Sequence, residues 1–414
     1  MNDLYISHVR RKCSLVNRQI ELLLSGDFPY ENPKRVLGQL KRALDFRLGA
    51  LGTALEDLDS EAVRSACKEI NGKIVEYHPI LGFILRSTNL RNAFEIYDPL
   101  QRLTRTLLGE NTYLVLSSEW QFSPFTYPYI SDDLPSYVFV GFPVSEAGNA
   151  LILPLAGHEL GHSVWRRAGV NDRLKSSINQ AVFDQFDNIE NRKQFPTLFD
   201  RPFDLRELFD DSSSMSTYFR AACGCALRQS EEIFCDSIGI RLFGQSFVEA
   251  FSYLISPGLG GARSPLYPPA QERTMHMRSA LRKCGFGRQF TEDEIEVDEL
   301  PYQSRISDQF VVYMADKAVK LSAENIIEEA LQYCDKVKIE KIDYEKVDKF
   351  SKLMEVSQPV QGAKSIGEIV SAGWTIFRSL GTDQGPGGGM NVEILNHIMF
   401  KSLEVYEFEY RLKS

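Results

Sequence analysis

The chain has 414 residues, of which 43% are hydrophobic and 25% are charged. This composition is ordinary for a globular protein and argues against long disordered segments, and the length favours two or three sub-domains. The formal net charge of −9 argues against a nucleic-acid-binding protein, because such proteins usually present a basic face.

Membrane and export signals are missing from the sequence. No segment reaches the roughly 18 to 20 uninterrupted apolar residues that a membrane-spanning helix needs. The first residues lack the basic start and apolar stretch of a signal peptide. Seven cysteines, spread over the whole chain, do not form a disulfide framework. We therefore expect a protein without a membrane span, located in the reducing cytoplasm.

The N-terminal region has the pattern of a helical bundle. Leucines recur at three- and four-residue spacing between residues 37 and 51, which gives one helix an apolar stripe. Asn32-Pro33 is a start signal for that helix, since proline loses no hydrogen bond at an early helical position. We predict an N-terminal helical bundle over residues 1–115 that carries no chemistry of its own.

Residues 119–149 have a different character, with aromatic residues and prolines in place of the helical pattern. Residues 137–142 are β-branched and aromatic with turn formers on both sides, which predicts a strand. The edge of this strand could bind an extended peptide. Residues 153–168 and 216–254 predict helices.

The rest of the chain is predicted to be helical, apart from two loops rich in glycine. The first loop covers residues 257–269, and helical patterns follow it at 272–282, 304–335 and 344–357. The second loop, at 381–389, lacks the Lys and Ser/Thr of a phosphate-binding loop and precedes a last short helix.

These patterns predict a mainly α fold with a small β-sheet. We expect an α+β core at residues 116–290, between the N-terminal bundle and a C-terminal helical region at residues 291–414. Strand signals are confined to one region, which is why the sheet should be small.

The sequence His158-Glu159-Leu160-Gly161-His162 suggests a metal site. On a helix, residues i and i+4 lie on one face, so both imidazoles can reach one ion. The carboxylate of Glu159 can accept a proton from water activated by that ion. The alternative is a surface helix with two unrelated histidines. Two of only six histidines stand in this apolar segment, where such groups are costly to bury without a partner.

A catalytic zinc site needs a third protein ligand, and we expect it to be Glu232. Glu232 and Asp236 lie four residues apart and therefore on one helical face. Asp236 would accept the free ring N–H of a ligand histidine and fix its tautomer. The alternative is a solvated acidic turn, and the neighbouring Glu231 is the residue most easily confused with the ligand.

With these motifs, the chain resembles the gluzincin metallopeptidases, and most closely the soluble relatives of the CAAX prenyl-protease and heat-shock membrane-protease group. The resemblance extends over about residues 137–280 and implies that the core at residues 116–290 is a zincin-like catalytic core. Three pieces match in order: the predicted strand and the turn that lead into the histidine motif, Glu232-x-x-x-Asp236-x-x-Gly239, and Tyr267-Pro268-Pro269-x-x-x-Arg273.

The resemblance implies that Arg273 lies near the site, where a guanidinium can hold a carboxylate or a substrate group. Tyr267 stands where the group has histidine, so the role of that histidine does not carry over, but the phenol of Tyr267 could lie near the developing oxyanion. Their alternatives are a surface arginine and a loop aromatic residue that packs on the core. His276 is a weaker candidate. The membrane helices of many members are missing, so a prenylated or membrane-embedded substrate is not implied.

Three cysteines, Cys223, Cys225 and Cys235, could suggest a second, structural zinc. No fourth ligand stands at regular spacing, and buried cysteines near helices are common. We interpret them as packing residues.

We therefore predict a zinc-dependent metallopeptidase that acts on a protein or peptide substrate. Zn²⁺ would be held by His158, His162 and Glu232, with Glu159 as the general base. A metal-binding regulator or sensor with little or no turnover is the alternative, although it would have no need of Glu159. A narrow-specificity protease for one protein partner would share the same site. The sequence does not indicate an oligomeric state.

Overall fold

A computed structural model of the protein describes residues 3–57, 59–90, 93–127, 130–198, 212–255, 263–286, 302, 304–380 and 390–413. Over these residues the chain is mainly α-helical with one small sheet, which confirms the predicted fold class. The glycine-rich segment predicted at 381–389 lies outside the described residues. The chain divides into two compact units, Met1–Arg105 with Gly109–Gly148 and Thr106–Leu108 with Asn149–Ser414.

The first unit is built from helices that pack on a three-stranded sheet. The predicted helix start at Asn32-Pro33 is confirmed, and the leucine stripe from Leu37 to Leu51 faces the core. The elements are α1 (Asp3–Leu24), α2 (Asn32–Glu56), α3 (Ser60–Ser87), α4 (Ala93–Leu108, of which Thr106–Leu108 belong to the second unit), β1 (Tyr113–Glu119), β2 (Phe125–Tyr127) and β3 (Tyr137–Pro143).

The sheet has the strand order β1-β3-β2. Strand β3 was predicted, whereas β1 was not. Our hypothesis that β3 offers a free edge to a peptide was wrong, because β3 is the central strand. It pairs in parallel with β1 along its whole length and antiparallel with β2 at residues 139–141.

The second unit is organised around one long central helix. This helix, α8 (Ser212–Phe243), packs against six other helices of the unit. None of the helices in the described part of the chain combines the length and apolarity of a membrane span. The elements are α5 (Leu155–Arg167), α6 (Val170–Asp187), α7 (Ile189–Gln194), α8 (Ser212–Phe243), α9 (Gln245–Ile255), α10 (Ala270–Lys283), α11 (Ile306–Lys336), α12 (Tyr344–Glu355), α13 (Ile366–Leu380) and α14 (Val392–Lys413).

This division into two units differs from the three regions that we predicted at 1–115, 116–290 and 291–414. The sheet groups with the N-terminal helices, because Val115 and Phe139 lie in the same hydrophobic cluster as the core residues of α1 to α3. The C-terminal helices α11 and α13 pack directly on α8. The last helix, predicted to be short, has 22 residues.

Glycines allow α5 and α8 to approach each other closely. A Cβ at Gly161 would lie 2.8 Å from Cα of Cys235, and a Cβ at Gly157 would lie 3.1 Å from Cα of Gly239. These distances are shorter than ordinary van der Waals contact, so a larger residue on α5 would force the helices apart. The contact places the histidine motif of α5 beside the acidic residues of α8.

We predict that Gly161→Ala destabilises the protein by about 1 to 3 kcal/mol, because the added methyl group overpacks the interface between the helices. The matched control is Gly224→Ala on α8, where a Cβ meets no atom within 4 Å. It should instead stabilise the helix by up to about 1 kcal/mol, as alanine does in a helix interior. Urea unfolding followed by circular dichroism measures both changes. Equal stability of Gly161→Ala and the wild type would contradict the close contact.

Candidate metal centre

The two histidines of the motif point toward one carboxylate. His158 Nε2 lies 3.3 Å from Oε2 of Glu232, and His162 Nε2 lies 3.7 Å from Oε1 of the same residue. The donor atoms of these three residues all lie within 4.8 Å of one another. Among the described residues, no other set of three His, Cys, Asp or Glu side chains forms such a group, and the cysteines do not join one.

The spacing of these donors can be compared with that of a tetrahedral metal site. Metal–ligand bonds of about 2.0 to 2.1 Å at tetrahedral angles place neighbouring donors about 3.3 Å apart. The two distances from Glu232 to the imidazoles are close to this value. Two imidazoles and one carboxylate this close together could therefore hold a divalent ion.

Both imidazole rings are held from behind by carboxylates. His158 Nδ1 lies 2.8 Å from Oδ1 of Asp236, and His162 Nδ1 lies 2.9 Å from Oε1 of Glu231. A carboxylate only accepts hydrogen bonds, so each Nδ1 donates. In the neutral rings this leaves both Nε2 lone pairs directed at the space beside Glu232, as metal ligation requires.

The structure gives Glu231 a role that our sequence reasoning missed. We expected one carboxylate, Asp236, behind one histidine, and we treated Glu231 only as a rival for the ligand position. The signal that was available is that a second histidine ligand also needs an acceptor for its ring N–H. Glu231 supplies this acceptor, and Arg228 holds it in place through a contact of 2.7 Å to Oε2.

Arg273 lies at the site and links two of its carboxylates. Its Nε donates to Oδ2 of Asp236 at 2.7 Å, and its Nη2 donates to Oδ1 of Asp236 at 2.8 Å and to Oε2 of Glu232 at 3.2 Å. The guanidinium also lies 4.7 Å from the ring centre of Phe251 and 5.4 Å from that of Tyr267. Arg273 is therefore buried and fixed by charge on one side and by aromatic rings on another.

The charges of this cluster keep its acidic members ionised. Burial alone would raise the pKa of Asp236, but the charge and hydrogen bonds of Arg273, together with His158, lower it to about 2. Glu232 follows the same pattern. Burial alone would raise its pKa, but the hydrogen bond from His158 and the charges of His158 and Arg273 lower it. An ionised Glu232 is the form that binds a metal.

His158 contacts both of these carboxylates, and they shift its pKa. Burial would lower its pKa, but the hydrogen bonds and charges of Asp236 and Glu232 raise it to about 10. A metal ion and a proton therefore compete for Nε2 of His158.

Glu159 is a buried carboxylate beside the donor group. Burial raises its pKa, and the positive charges of His158 and His162 oppose this shift. The carboxylate of Glu159 makes no hydrogen bond or ion pair within the part of the chain that is described. A carboxylate with a raised pKa and no fixed partner has the properties that proton transfer requires.

The other predicted residues lie at different distances from this centre. Tyr267 is 43% exposed, and its ring contacts Arg273. The negative charge of Glu232 is the main cause of its raised pKa, followed by burial. The loop that carries Tyr267 is tied to α8, because Gln229 Nε2 donates to the carbonyl oxygen of Pro265 at 3.1 Å. His276 is outside the donor group, and burial lowers its pKa.

Comparisons with known proteins do not add to this description. No family model, no curated protein and no solved structure matches the chain. The resemblance to gluzincin metallopeptidases consequently depends on the residues of the motifs, and the function has to be argued from the site.

We predict that the carboxylates behind the histidines control metal affinity. Asp236→Asn removes a charge that Arg273 and His158 both contact and should weaken zinc binding about 10- to 100-fold. Glu231→Gln keeps an acceptor for His162 and should weaken binding less, about tenfold. Competition with a chromophoric chelator measures both affinities.

The matched control for these variants is Glu355→Gln, which replaces an exposed carboxylate at the end of α12 by a carboxamide. It should bind zinc as the wild type does. If Glu231→Gln and Glu355→Gln gave the same affinity, the assigned role of Glu231 behind His162 would be incorrect.

Proposed function

We propose that the protein is a zinc-dependent metallohydrolase, and more narrowly a metallopeptidase of the gluzincin type. The observation that carries the proposal is the convergence of two imidazole Nε2 atoms on one carboxylate, with each Nδ1 held by another carboxylate. Both features are typical of catalytic zinc sites, which use three protein ligands with oriented histidines.

His158, His162 and Glu232 would hold the ion. Bound there, zinc would polarise a substrate carbonyl and lower the pKa of water toward neutrality. Glu159 is the residue we assign as general base: its carboxylate accepts the proton of the attacking water and returns it to the leaving amine. Its raised pKa supports this role, because a base is most effective when its pKa approaches the working pH.

The two residues that the resemblance added receive different roles. Within the described residues, every hydrogen bond of the Arg273 guanidinium goes to Asp236 or Glu232, so we assign it as a positioning residue. Tyr267 is partly exposed beside this guanidinium and is the candidate donor to the developing oxyanion.

A protein or peptide is the proposed substrate, and the cytoplasm is the proposed location. All seven cysteines are free thiols, which is what a reducing compartment maintains. The gluzincin resemblance supplies the peptide bond as the target. The site chemistry by itself supports hydrolysis of a carbonyl compound.

We predict about one zinc per chain in the protein purified without chelators. His158→Ala and Glu232→Ala should both lose the metal, because each removes one of three ligands, and elemental analysis measures the content. No stoichiometric metal in the wild type, even after zinc is added back, would falsify the proposal.

We further predict that Glu159→Gln keeps its zinc but loses peptidase activity by about 10²- to 10⁴-fold, the usual contribution of a general base. A proteomic cleavage screen of wild type against Glu159→Gln identifies substrates and measures the loss. Zinc binding with equal cleavage patterns in both proteins would contradict the hydrolase and favour the regulatory alternative.

For Tyr267→Phe we predict a fall in kcat of about 10²- to 10³-fold with little change in KM, as for loss of one oxyanion donor. The zinc content should remain that of the wild type. Tyr5→Phe, on the exposed surface of the first unit, is the matched control. An unchanged kcat in Tyr267→Phe would remove this residue from the mechanism.

A further inference from the structure

A second polar site lies in the same unit as the metal centre. A cavity of about 350 Å³ opens between helices α9, α12 and α13. This volume is in the range of small-molecule binding sites. None of the metal-site residues lines it. Its lining residues are Gln245, Ser246, Glu249, Tyr344, Val347, Asp348, Ser371, Thr375 and Arg378.

Glu249 is the most buried charge in this lining, with a side chain that is 16% exposed. Arg378 Nη1 donates to it at 2.7 Å, and Gln245 Nε2 donates to it at 3.0 Å. Both donors reach the same oxygen, Oε1. Within the described residues, Oε2 of Glu249 therefore has no hydrogen-bond partner and is available to a ligand.

Two further acceptors face the cavity. Asp348 is exposed at its rim and forms no ion pair with any described residue. The hydroxyl of Tyr344 accepts the backbone N–H of Gln245 at 3.3 Å and has a second lone pair. The lining thus combines two carboxylates with one guanidinium and has an excess of negative charge.

The environment of Glu249 also favours a positive ligand. Burial raises its pKa to about 7, although the charge of Arg378 and the hydrogen bond from Gln245 oppose the shift. The protein therefore compensates this buried carboxylate only in part. A cation bound beside it would supply the missing compensation.

We propose that this cavity binds a small organic cation through a primary ammonium group. An ammonium has three N–H donors, and Glu249 Oε2, the carboxylate of Asp348 and the hydroxyl of Tyr344 are acceptors of the matching kind. A bare metal ion is disfavoured, because the lining residues do not form a group of three close carboxylate or imidazole donors. An anion is disfavoured by the excess of negative charge.

The experiment is isothermal titration calorimetry of the full-length protein near neutral pH with two probes. Putrescine represents free diamines, and glycylglycinamide represents a peptide N-terminus. Butanediol is the neutral control for putrescine, and succinate is the anionic control. We expect saturable binding of at least one cation and of neither control. Binding of putrescine alone would identify the ligand class as diamines, and binding of both would extend it to peptide amines.

Variants test whether the cavity is the binding site. Glu249→Gln and Asp348→Asn should each weaken binding about tenfold, the usual effect of losing a hydrogen bond to a charged group. Glu355→Gln, on the same helix as Asp348 but outside the lining, is the matched control and should bind normally. Circular dichroism checks the fold, and Asp348→Asn is informative even if the buried Glu249→Gln does not fold.

Three outcomes would overturn the proposal. They are the absence of saturable binding of either cation at millimolar concentration, equal binding of butanediol, and wild-type affinity in Asp348→Asn. The amine test is independent of the metal centre, because none of the metal-site residues lines the cavity. His158→Ala should therefore bind the amine as the wild type does. A failed zinc measurement would therefore leave this test unaffected.

Discussion

The close contact of α5 with α8 is the constraint on which the metal centre depends. Gly157 and Gly161 face Gly239 and Cys235 at distances that leave no space for a side chain on α5. Short separation of the two backbones is what allows an imidazole on one helix to reach a carboxylate on the other within hydrogen-bond distance. The histidines and Glu159 of the candidate site therefore lie on α5 between glycines that let the two helices approach.

The second condition for the candidate metal centre is the set of charged residues on α8. Residues 230–243 are buried throughout, yet they include Glu231, Glu232, Asp236 and Arg241. A helix buried on all sides is normally apolar, and replacing buried ion pairs by apolar residues is often neutral or stabilising. Arg273 and the two histidines compensate the negative charge of these carboxylates. Even so, the charged arrangement is not expected to stabilise the fold more than apolar residues would. Retaining it is easier to understand if the carboxylates orient metal ligands, which is the basis of the proposed function.

Local patterns were sufficient for the features that depend on one element. The i, i+4 spacing of His158 and His162, the start of α2 at Asn32 and the strand β3 all follow from neighbouring residues in the sequence. Features that depend on partners distant in the chain were missed. The central position of β3 is set by its pairing with β1, and the role of Glu231 is set by a histidine on another helix. No local signal predicts the cavity, because three helices that span more than a hundred residues form it.

Helix α9 borders both the candidate metal centre and the cavity, so its packing bears on whether the two proposed sites are coupled. Phe247 stacks 6.4 Å from the ring of His158, whereas Gln245 and Glu249 belong to the cavity. Coupling would require α9 to have two positions that a ligand distinguishes. The start of α9 is closely packed: Gly244, just before it, has φ +59°, and a Cβ at Gly239 would lie 2.5 Å from the ring of Phe247. A helix packed this tightly is a common wall between two sites, so occupancy of one should leave the other unchanged.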